Sequence, residues 1–245
     1  MTAPIPVIDG ASWALFLDID GTLLDLAPAP ELVSVPAGLA ALLTRLSDRF
    51  GGALALVSGR TLDSIDRLFP SGYDAVGCHG VQWRLAGHQS NDGRPVPVPV
   101  TTRLTTLVAQ RPGLALEHKG VALAVHYRGA PELADELRAT AAAAIIGASP
   151  PLRLQDGKAV VEIVPAGFTK GRAIKDFMRR HPYLGRRPIF VGDDSTDESG
   201  FAAVNDLGGV SIHVGDSADT LAGFRVSSPT ALRRWLATQD KEGQV

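Results

Sequence analysis

The stretch Ala14-Leu15-Phe16-Leu17-Asp18-Ile19-Asp20-Gly21-Thr22 decides the fold of this 245-residue chain. Its apolar half is a short continuous run, which is typical of a strand buried on both faces of a parallel sheet. Two carboxylates, Asp18 and Asp20, follow at the end of that strand, and their spacing predicts that both side chains point to one side. Open α/β sheets bind their ligands just beyond the carboxyl ends of strands, and Gly21-Thr22 suits a tight turn whose amides meet an anion.

The composition excludes several classes of protein. A hydrophobic fraction of 45% and a net charge of −2 at pH 7 are those of a folded chain rather than of a disordered one. Because basic residues are not in excess, we expect no nucleic-acid partner. The first residues do not resemble a signal peptide, and no uncharged apolar stretch is long enough to span a membrane, so we expect a cytoplasmic protein without a membrane partner. A single cysteine, Cys78, excludes an internal disulfide.

Buried strand-like runs alternate with helix-like segments in the first and last thirds of the chain. Pro36 is expected to open a helix, and the run Pro188–Gly192 is a second candidate strand of the parallel sheet. The middle third instead contains short paired runs and amphipathic segments. The sequence therefore predicts an α/β fold, a doubly wound parallel sheet interrupted by an inserted α+β domain. The core is assigned to residues 1–92 and 165–245, and the insert to residues 93–164.

The insert is predicted to hold two hairpins and two helices. The hairpin turns are placed at Lys119-Gly120 and Asp156-Gly157, and the helices at 103–110 and 131–146. Polar side chains two or four apart would share a strand face, and this spacing groups them in three pairs: Glu117 with Lys119, His126 with Arg128, and Lys158 with Glu162. Such a face could bind sugar hydroxyls, or it could be a solvated face with cross-strand ion pairs.

Three further motifs lie at predicted strand ends or helix starts. Asp193-Asp194-Ser195-Thr196-Asp197-Glu198 follows one strand, Ser58-Gly59-Arg60 follows another, and Lys170 opens a helix. Carboxylates from two strand ends would make an oxygen-rich site suited to Mg²⁺. Each motif also has a structural alternative: Ser58 as a helix N-cap, Lys170 as a solvated surface lysine, and Asp197 with Glu198 as charges that complement the dipole of the following helix. A lysine at a helix N-terminus is electrostatically unfavourable, which indicates anions nearby.

This set of motifs, in this order, resembles the haloacid-dehalogenase-like (HAD) phosphatase superfamily. The resemblance implies that Asp18 is a nucleophile that becomes phosphorylated, and that Asp20 protonates the leaving group and later activates water. It implies that Ser58, Gly59 and Lys170 bind the phosphoryl group. Mg²⁺ would be the cofactor, held by Asp18, Asp20 and Asp193, with Asp194 and Asp197 in support. The insert falls where that superfamily carries a C2-type cap, which closes over the core and selects the leaving group.

Within that superfamily the chain resembles the trehalose-6-phosphate phosphatase family. The motifs that carry this resemblance are Gly77-Cys78-His79-Gly80, Glu117-His118-Lys119-Gly120, His126-Tyr127-Arg128, Gly157-Lys158-Ala159-Val160-Val161-Glu162 and Gly167-Phe168-Thr169-Lys170-Gly171. The resemblance implies Mg²⁺-dependent hydrolysis of trehalose 6-phosphate to trehalose and phosphate by a monomer. The substrate-binding residues it implies are His79, Glu117, Lys119, His126, Arg128, Lys158 and Glu162.

Two alternatives remain open at this point. The chain could act on another sugar phosphate, such as sucrose 6-phosphate, or be a phosphohexomutase. It could also be a non-catalytic regulatory module. The second alternative is disfavoured because such a module is expected to have lost Asp18, Asp20, Lys170 or Asp193, and all four are present.

Overall fold

A computed structural model describes residues 5–6, 8–27, 32–70 and 72–241. The chain divides into two compact units, one formed by Met1–Ser90 with Thr169–Val245 and the other by Asn91–Phe168. No helix in the described ranges combines the length and the apolar character needed to cross a bilayer.

Strands and helices alternate along most of the chain. The strands are β1 (Trp13–Leu17), β2 (Leu54–Val57), β3 (Asp74–Gly77), β4 (Gln82–Leu85), β5 (His88–Asn91), β6 (Ala115–His118), β7 (Leu123–His126), β8 (Leu152–Gly157), β9 (Val160–Pro165), β10 (Arg187–Gly192), β11 (Val210–Val214) and β12 (Phe224–Val226). The α-helices are α1 (Leu39–Arg49), α2 (Leu62–Leu68), α3 (Val98–Gln110), α4 (Ala134–Ile145), α5 (Lys170–Phe177), α6 (Glu198–Asp206) and α7 (Pro229–Lys241).

The first unit is built on one eight-stranded sheet with the strand order β12-β11-β10-β1-β2-β3-β4-β5. β1 lies between β10 and β2 and is parallel to both, while β4 runs antiparallel to β3. Since β1, β2 and β10 are parallel, their carboxyl ends lie at the same edge of the sheet. Asp18, Ser58 and Asp193 are the residues that follow these three ends.

β1 is buried on both faces, as its uninterrupted apolar run predicts. Leu15 and Leu17 pack into a cluster with side chains of α1, α2 and α7, whereas Ala14 and Phe16 pack with side chains of α5 and α6. Helices therefore cover both faces of the sheet, and the predicted doubly wound α/β fold is confirmed.

The second unit is a four-stranded antiparallel sheet in the order β6-β7-β9-β8, with α3 and α4. One face of the sheet is apolar and packs with the two helices through a cluster that includes Leu104, Leu137, Val125 and Ile163. The residues that alternate with these form a polar face, because successive side chains of a strand point to opposite sides.

Three details of the prediction are wrong. The helix expected to open at Pro36 begins at Leu39, after Gly38 at a φ of +82°. The helix expected over 103–110 begins at Val98. The second hairpin turns at Lys158-Ala159, not at Asp156-Gly157, because Gly157 still pairs with Val160 and Ala159 takes the positive φ of 59°.

Candidate active site

Asp18 is the centre of a buried cluster at the carboxyl end of β1. Its amide donates to the carbonyl of Val191 in β10, so the two neighbouring strands fix its backbone. One Asp18 carboxylate oxygen, Oδ1, accepts a hydrogen bond of 2.7 Å from Lys170 Nζ. Asp18 is 4% exposed and Lys170 is 3% exposed. The structural alternative of a solvated surface lysine is therefore wrong for Lys170.

Burial and the ion pair between Asp18 and Lys170 act in opposite directions on the pKa values of these two residues. Burial raises the pKa of Asp18 well above its ordinary value, Lys170 opposes that shift, and the charges of Asp197 and Asp193 add to it. Burial alone would lower the pKa of Lys170, but its two carboxylate partners, Asp18 and Asp197, outweigh burial and raise it. Lys170 therefore remains a cation at neutral pH, held between two carboxylates.

Asp193 and Asp197 complete the cluster from the loop that follows β10. Thr22 Oγ1 donates to Asp193 Oδ1 at 2.9 Å, which orients that carboxylate. Asp197 accepts from Lys170 Nζ at 2.6 Å through Oδ1 and from the amides of Asp193 and Asp194 through Oδ2. Gly21 is required beside them, because a Cβ there would lie 2.1 Å from Asp193 Oδ2 and its φ is +81°.

The cluster has the donors of a divalent-metal site. One carboxylate oxygen from each of Asp18, Asp193 and Asp197 lies within 4.8 Å of the other two, and all three residues are buried. Three carboxylates against the single ammonium of Lys170 leave uncompensated negative charge when all are ionised, and a cation would compensate it. Oxygen donors of this kind fit Mg²⁺. Both Asp197 oxygens already accept hydrogen bonds, from Lys170 and from the amides of Asp193 and Asp194.

Asp20 lies outside that group, and its carboxylate has a different partner. Its two carboxylate oxygens accept hydrogen bonds of 2.7 Å from Arg60 Nε and Nη2. Arg60 Nη1 in turn donates to Ser64 Oγ in α2 at 3.1 Å. Asp18 and Asp20 thus have different hydrogen-bond partners, and both lie beyond Leu17, the last residue of β1.

Ser58 follows β2 and is buried, with an exposed fraction of 2%. Its hydroxyl accepts from the amide of Arg60 at 3.1 Å, so Ser58, Gly59 and Arg60 form one tight loop. The helix-cap alternative for Ser58 is wrong, because Thr61 caps α2 by accepting from the amide of Ser64. Asp194 makes different contacts from Asp193. Its side chain accepts from the amide of Ser195 and stabilises the turn before α6.

His79 is also a buried residue of the first unit, 5% exposed and with a φ of +57°. Its amide donates to the carbonyl of Ser58 at 3.1 Å. The structure thus places the backbone of His79 directly against the Ser58 loop.

The polar face of the second unit joins four of the predicted residues in two side-chain pairs. Lys119 Nζ donates to Glu162 Oε1 at 2.5 Å, and the side chains of both residues are less than a tenth exposed. His126 Nε2 and Glu117 Oε2 are 3.0 Å apart. Glu117 is in register with Ala124, and Ala124 with Glu162, so one glutamate of each pair lies in the same row of one face, with Ala124 between them.

Two predicted residues lie elsewhere. Lys158 is exposed in the β8–β9 turn, and Arg128 is exposed in the turn after β7. The expectation that each shares a strand face with its neighbour is wrong, because β9 starts at Val160 and β7 ends at His126.

Sequence reasoning missed Arg153 and Gln155, which belong to the same polar face. Gln155 is in register with Glu162, and Arg153 donates to the Gln155 side chain and, at 2.8 Å, to the carbonyl of Phe168. The alternation of Arg153, Gln155 and Gly157 with Leu152 and Leu154 is the signal that could have found them.

The fold and this cluster together define a class of enzyme. A carboxylate, a lysine and an acidic loop at adjoining strand ends of a doubly wound sheet are characteristic of the HAD-like phosphatases. The family model described as trehalose-phosphatase matches residues 16–229. The chain belongs to that family, and it is a phosphoric monoester hydrolase.

Curated relatives and a solved structure agree with this assignment. The chain is 43% identical over 230 residues to the trehalose-6-phosphate phosphatase of Escherichia coli K12, covering 92% of this chain and 86% of that protein. It is 46% identical over 212 residues to a probable trehalose-phosphate phosphatase of Sinorhizobium fredii, covering 83% and 78% of the two chains. A crystal structure of a trehalose-6-phosphate phosphatase related protein superposes with a TM-score of 0.76 at 28% identity, covering 95% and 98%.

Proposed function

We propose that this enzyme hydrolyses trehalose 6-phosphate to trehalose and phosphate, with Mg²⁺ as cofactor and an aspartyl-phosphate intermediate on Asp18. The observation that carries the proposal is the buried contact of Asp18 with Lys170 beside Asp193. The 43% identity to a named trehalose-6-phosphate phosphatase supports the choice of substrate.

In the first step a carboxylate oxygen of Asp18 attacks phosphorus and forms a new O–P bond, while the bond from phosphorus to the sugar oxygen breaks. Asp20 donates a proton to the departing sugar oxygen. In the second step Asp20 takes a proton from water, whose oxygen attacks phosphorus and returns Asp18 as a carboxylate. A covalent intermediate divides one difficult hydrolysis into two easier displacements.

The remaining residues position the phosphoryl group and neutralise its charge. Lys170 and the hydroxyl and amides of the Ser58 loop would bind the phosphoryl oxygens, since phosphoryl transfer depends mainly on positioning and charge stabilisation. Because both Asp20 oxygens accept from Arg60, one of them has to exchange Arg60 for the sugar oxygen before proton transfer. When bound by Asp18 and Asp193, Mg²⁺ would supply positive charge against the phosphoryl oxygens.

We assign recognition of the sugar to the polar face of the second unit. Trehalose is uncharged and rich in hydroxyls, so it needs well-placed donors and acceptors rather than net charge. The polar side chains Lys119, Glu162, Glu117 and His126 offer both on one sheet face. Lys158 and Arg128 remain candidates from exposed turns, and His79 from the first unit.

The decisive experiment is phosphate release from a panel of four esters: trehalose 6-phosphate, sucrose 6-phosphate, glucose 6-phosphate and p-nitrophenyl phosphate. Each is assayed with Mg²⁺, with EDTA, and with Asp18→Asn as the control variant. We expect Mg²⁺-dependent turnover of trehalose 6-phosphate far above the other three, and none from Asp18→Asn. A preference for sucrose 6-phosphate would overturn the assignment of trehalose 6-phosphate as the substrate. A residual rate in Asp18→Asn would exclude the covalent step.

A further inference from the structure

The turn between β3 and β4 has an unusual backbone. Cys78, His79 and Gly80 follow one another at φ values of +47°, +57° and +113°. Residues other than glycine rarely adopt positive φ, and such conformations persist only where the surroundings impose them. Both non-glycine residues of this turn are buried, Cys78 fully and His79 to 5% exposure.

On one side the turn is bonded to the loop proposed to bind phosphate. The amide of Cys78 donates to the carbonyl of Arg60 at 2.8 Å, and that of His79 donates to the carbonyl of Ser58 at 3.1 Å. Gly77 lies so close that a Cβ there would be 2.9 Å from the Arg60 carbonyl oxygen. The turn thus fixes the backbone on both sides of Gly59.

On its other side the turn contacts the residue that precedes Lys170. A Cβ on Gly80 would lie 2.9 Å from the carbonyl oxygen of Thr169. Thr169 caps α5, accepting through its side chain from the amide of Arg172 at 3.1 Å. Any displacement of Thr169 would therefore move the first turn of α5, which carries Lys170.

We propose that residues 77–80, which we name the clamp turn, are a positioning element for phosphoryl transfer. The clamp turn sets the separation between the Ser58 hydroxyl and the Lys170 ammonium by contacting the backbone that carries each of them. Its glycines allow the backbone to approach the Arg60 carbonyl at Gly77 and the Thr169 carbonyl at Gly80. The positive φ values at Cys78 and His79 bring these two contacts into one short turn. This inference rests on the proposed function, because it concerns the same phosphate site.

The rate of an enzymatic reaction depends steeply on the positions of the groups that bind the reacting atoms. Ser58 and Lys170 belong to different segments of the chain, far apart in sequence, and both must meet one phosphoryl group. A misplacement of about 1 Å in such a group costs up to roughly 100-fold in rate. An added methyl group at either glycine displaces one of the two elements without changing the chemical identity of any side chain of the site.

Three alanine substitutions separate close approach from backbone strain. Gly77→Ala introduces only close approach, since the φ of Gly77 is −109°. Gly80→Ala introduces both close approach and strain. Gly87→Ala is the matched control, because Gly87 has a φ of +80° but no neighbouring atom within 4 Å of its Cβ position. Each variant is measured for melting temperature, for kcat and KM with trehalose 6-phosphate and p-nitrophenyl phosphate, and for inorganic phosphate binding by calorimetry with Mg²⁺.

We expect Gly77→Ala and Gly80→Ala to lose roughly 10–100-fold in kcat/KM on both esters by similar factors, and to bind phosphate more weakly. Gly87→Ala should remain close to wild type in both measurements. A lower melting temperature in Gly77→Ala with unchanged kcat/KM and phosphate affinity would overturn the proposal. If the wild-type enzyme hydrolyses neither ester, the proposed function fails, and phosphate affinity alone decides the role of the clamp turn.

A milder pair of variants applies if both glycine variants fail to fold. Gln82 pairs with Gly77 in the sheet, and its side-chain oxygen accepts from the amide of Leu62, two residues after Arg60, at 3.0 Å. Gln82→Ala removes that acceptor and Gln82→Glu keeps it. A fall in kcat/KM in Gln82→Ala that Gln82→Glu restores supports the clamp turn, and wild-type kcat/KM in Gln82→Ala overturns it.

Discussion

The ammonium nitrogen of Lys170 lies 2.7 Å from Oδ1 of Asp18, and both side chains are almost fully excluded from solvent. The nucleophile proposed for the reaction is thus held by a cation that belongs to a helix, α5, whose first residue is Lys170. Asp197 accepts from the same nitrogen, so Lys170 is held in this position by a second buried carboxylate. This arrangement orients the nucleophile before any substrate binds.

Removing the lysine should therefore lower the rate of the chemical step far more than it weakens substrate binding. Lys170→Ala is expected to cost about 2–4 kcal/mol of transition-state stabilisation, or roughly 30–1,000-fold in kcat/KM, by analogy with the loss of one oxyanion donor. Lys175→Ala is the matched control, since Lys175 lies on the same helix but forms an exposed ion pair with Asp206. Steady-state kinetics measure both variants, and an unchanged rate in Lys170→Ala would remove this residue from the mechanism.

The metal proposal makes a prediction that needs no turnover. Mg²⁺ at about 100 times its dissociation constant should stabilise the wild-type fold by roughly 2.7 kcal/mol, because it binds the folded state alone. Asp193→Asn should lose most of that stabilisation, whereas Asp194→Asn, one residue away and outside the cluster, should keep it. Thermal unfolding with and without Mg²⁺ measures the difference. Equal stabilisation of the two variants would show that Asp193 is not a ligand.

Much of the first unit was predictable from the sequence, for a physical reason. Strands buried on both faces appear as continuous apolar runs, and the carboxyl ends of parallel strands share one edge of the sheet. Those two rules suffice to bring Asp18, Ser58 and Asp193 to the ends of three adjoining strands. They do not specify what each side chain contacts once the strand has ended, which is why the contact of Asp20 with Arg60 was not predicted.

The second unit was less predictable, because a shift of two residues in a hairpin turn changes which residues belong to the strands. Asp156-Gly157 is a good turn signal, yet the turn forms at Lys158-Ala159 and removes Lys158 from the strand. The backbone conformation of the clamp turn was equally hard to predict from the sequence. Positive φ at Cys78 and His79 is imposed by tertiary contacts with Ser58 and Arg60, and no local propensity indicates it.

The contact between Asp20 and Arg60 predicts a role for the shape of the arginine side chain. Arg60→Lys keeps the charge but cannot make two parallel hydrogen bonds, so Asp20 should lose its fixed orientation. We expect kcat to fall by roughly tenfold or more with a smaller change in KM, because the acid would be misplaced. Arg67→Lys, an exposed substitution on α2, is the control. If Arg60→Lys retains the wild-type kcat, the double hydrogen bond has no catalytic consequence.

The buried pair of Lys119 and Glu162 predicts a change in specificity. Glu162→Gln keeps the shape of the side chain and removes its charge, which weakens hydrogen bonds worth about 1.5–3 kcal/mol. We expect a higher KM for trehalose 6-phosphate and an unchanged kcat/KM for p-nitrophenyl phosphate, which has no sugar. Glu136→Gln is the control, since Glu136 pairs with Arg111 at an exposed site on α4. Equal losses on both esters would indicate a structural role for Glu162.

The half-exposed pair of Glu117 and His126 predicts a pH dependence of stability. Burial would raise the pKa of Glu117, but the hydrogen bond from His126 and the charge of Lys119 outweigh it and lower the pKa below the ordinary 4.5. A carboxylate with a lowered folded-state pKa stabilises the fold above its unfolded-state pKa, and this contribution is lost as the pH falls through the folded-state pKa. The wild type should therefore be more stable than Glu117→Gln at pH 6, and the difference should shrink below pH 4.5. Chemical unfolding across this range measures it, and His126→Gln should remove most of the effect. A difference that is constant with pH would mean that the Glu117 carboxylate does not contribute through its charge.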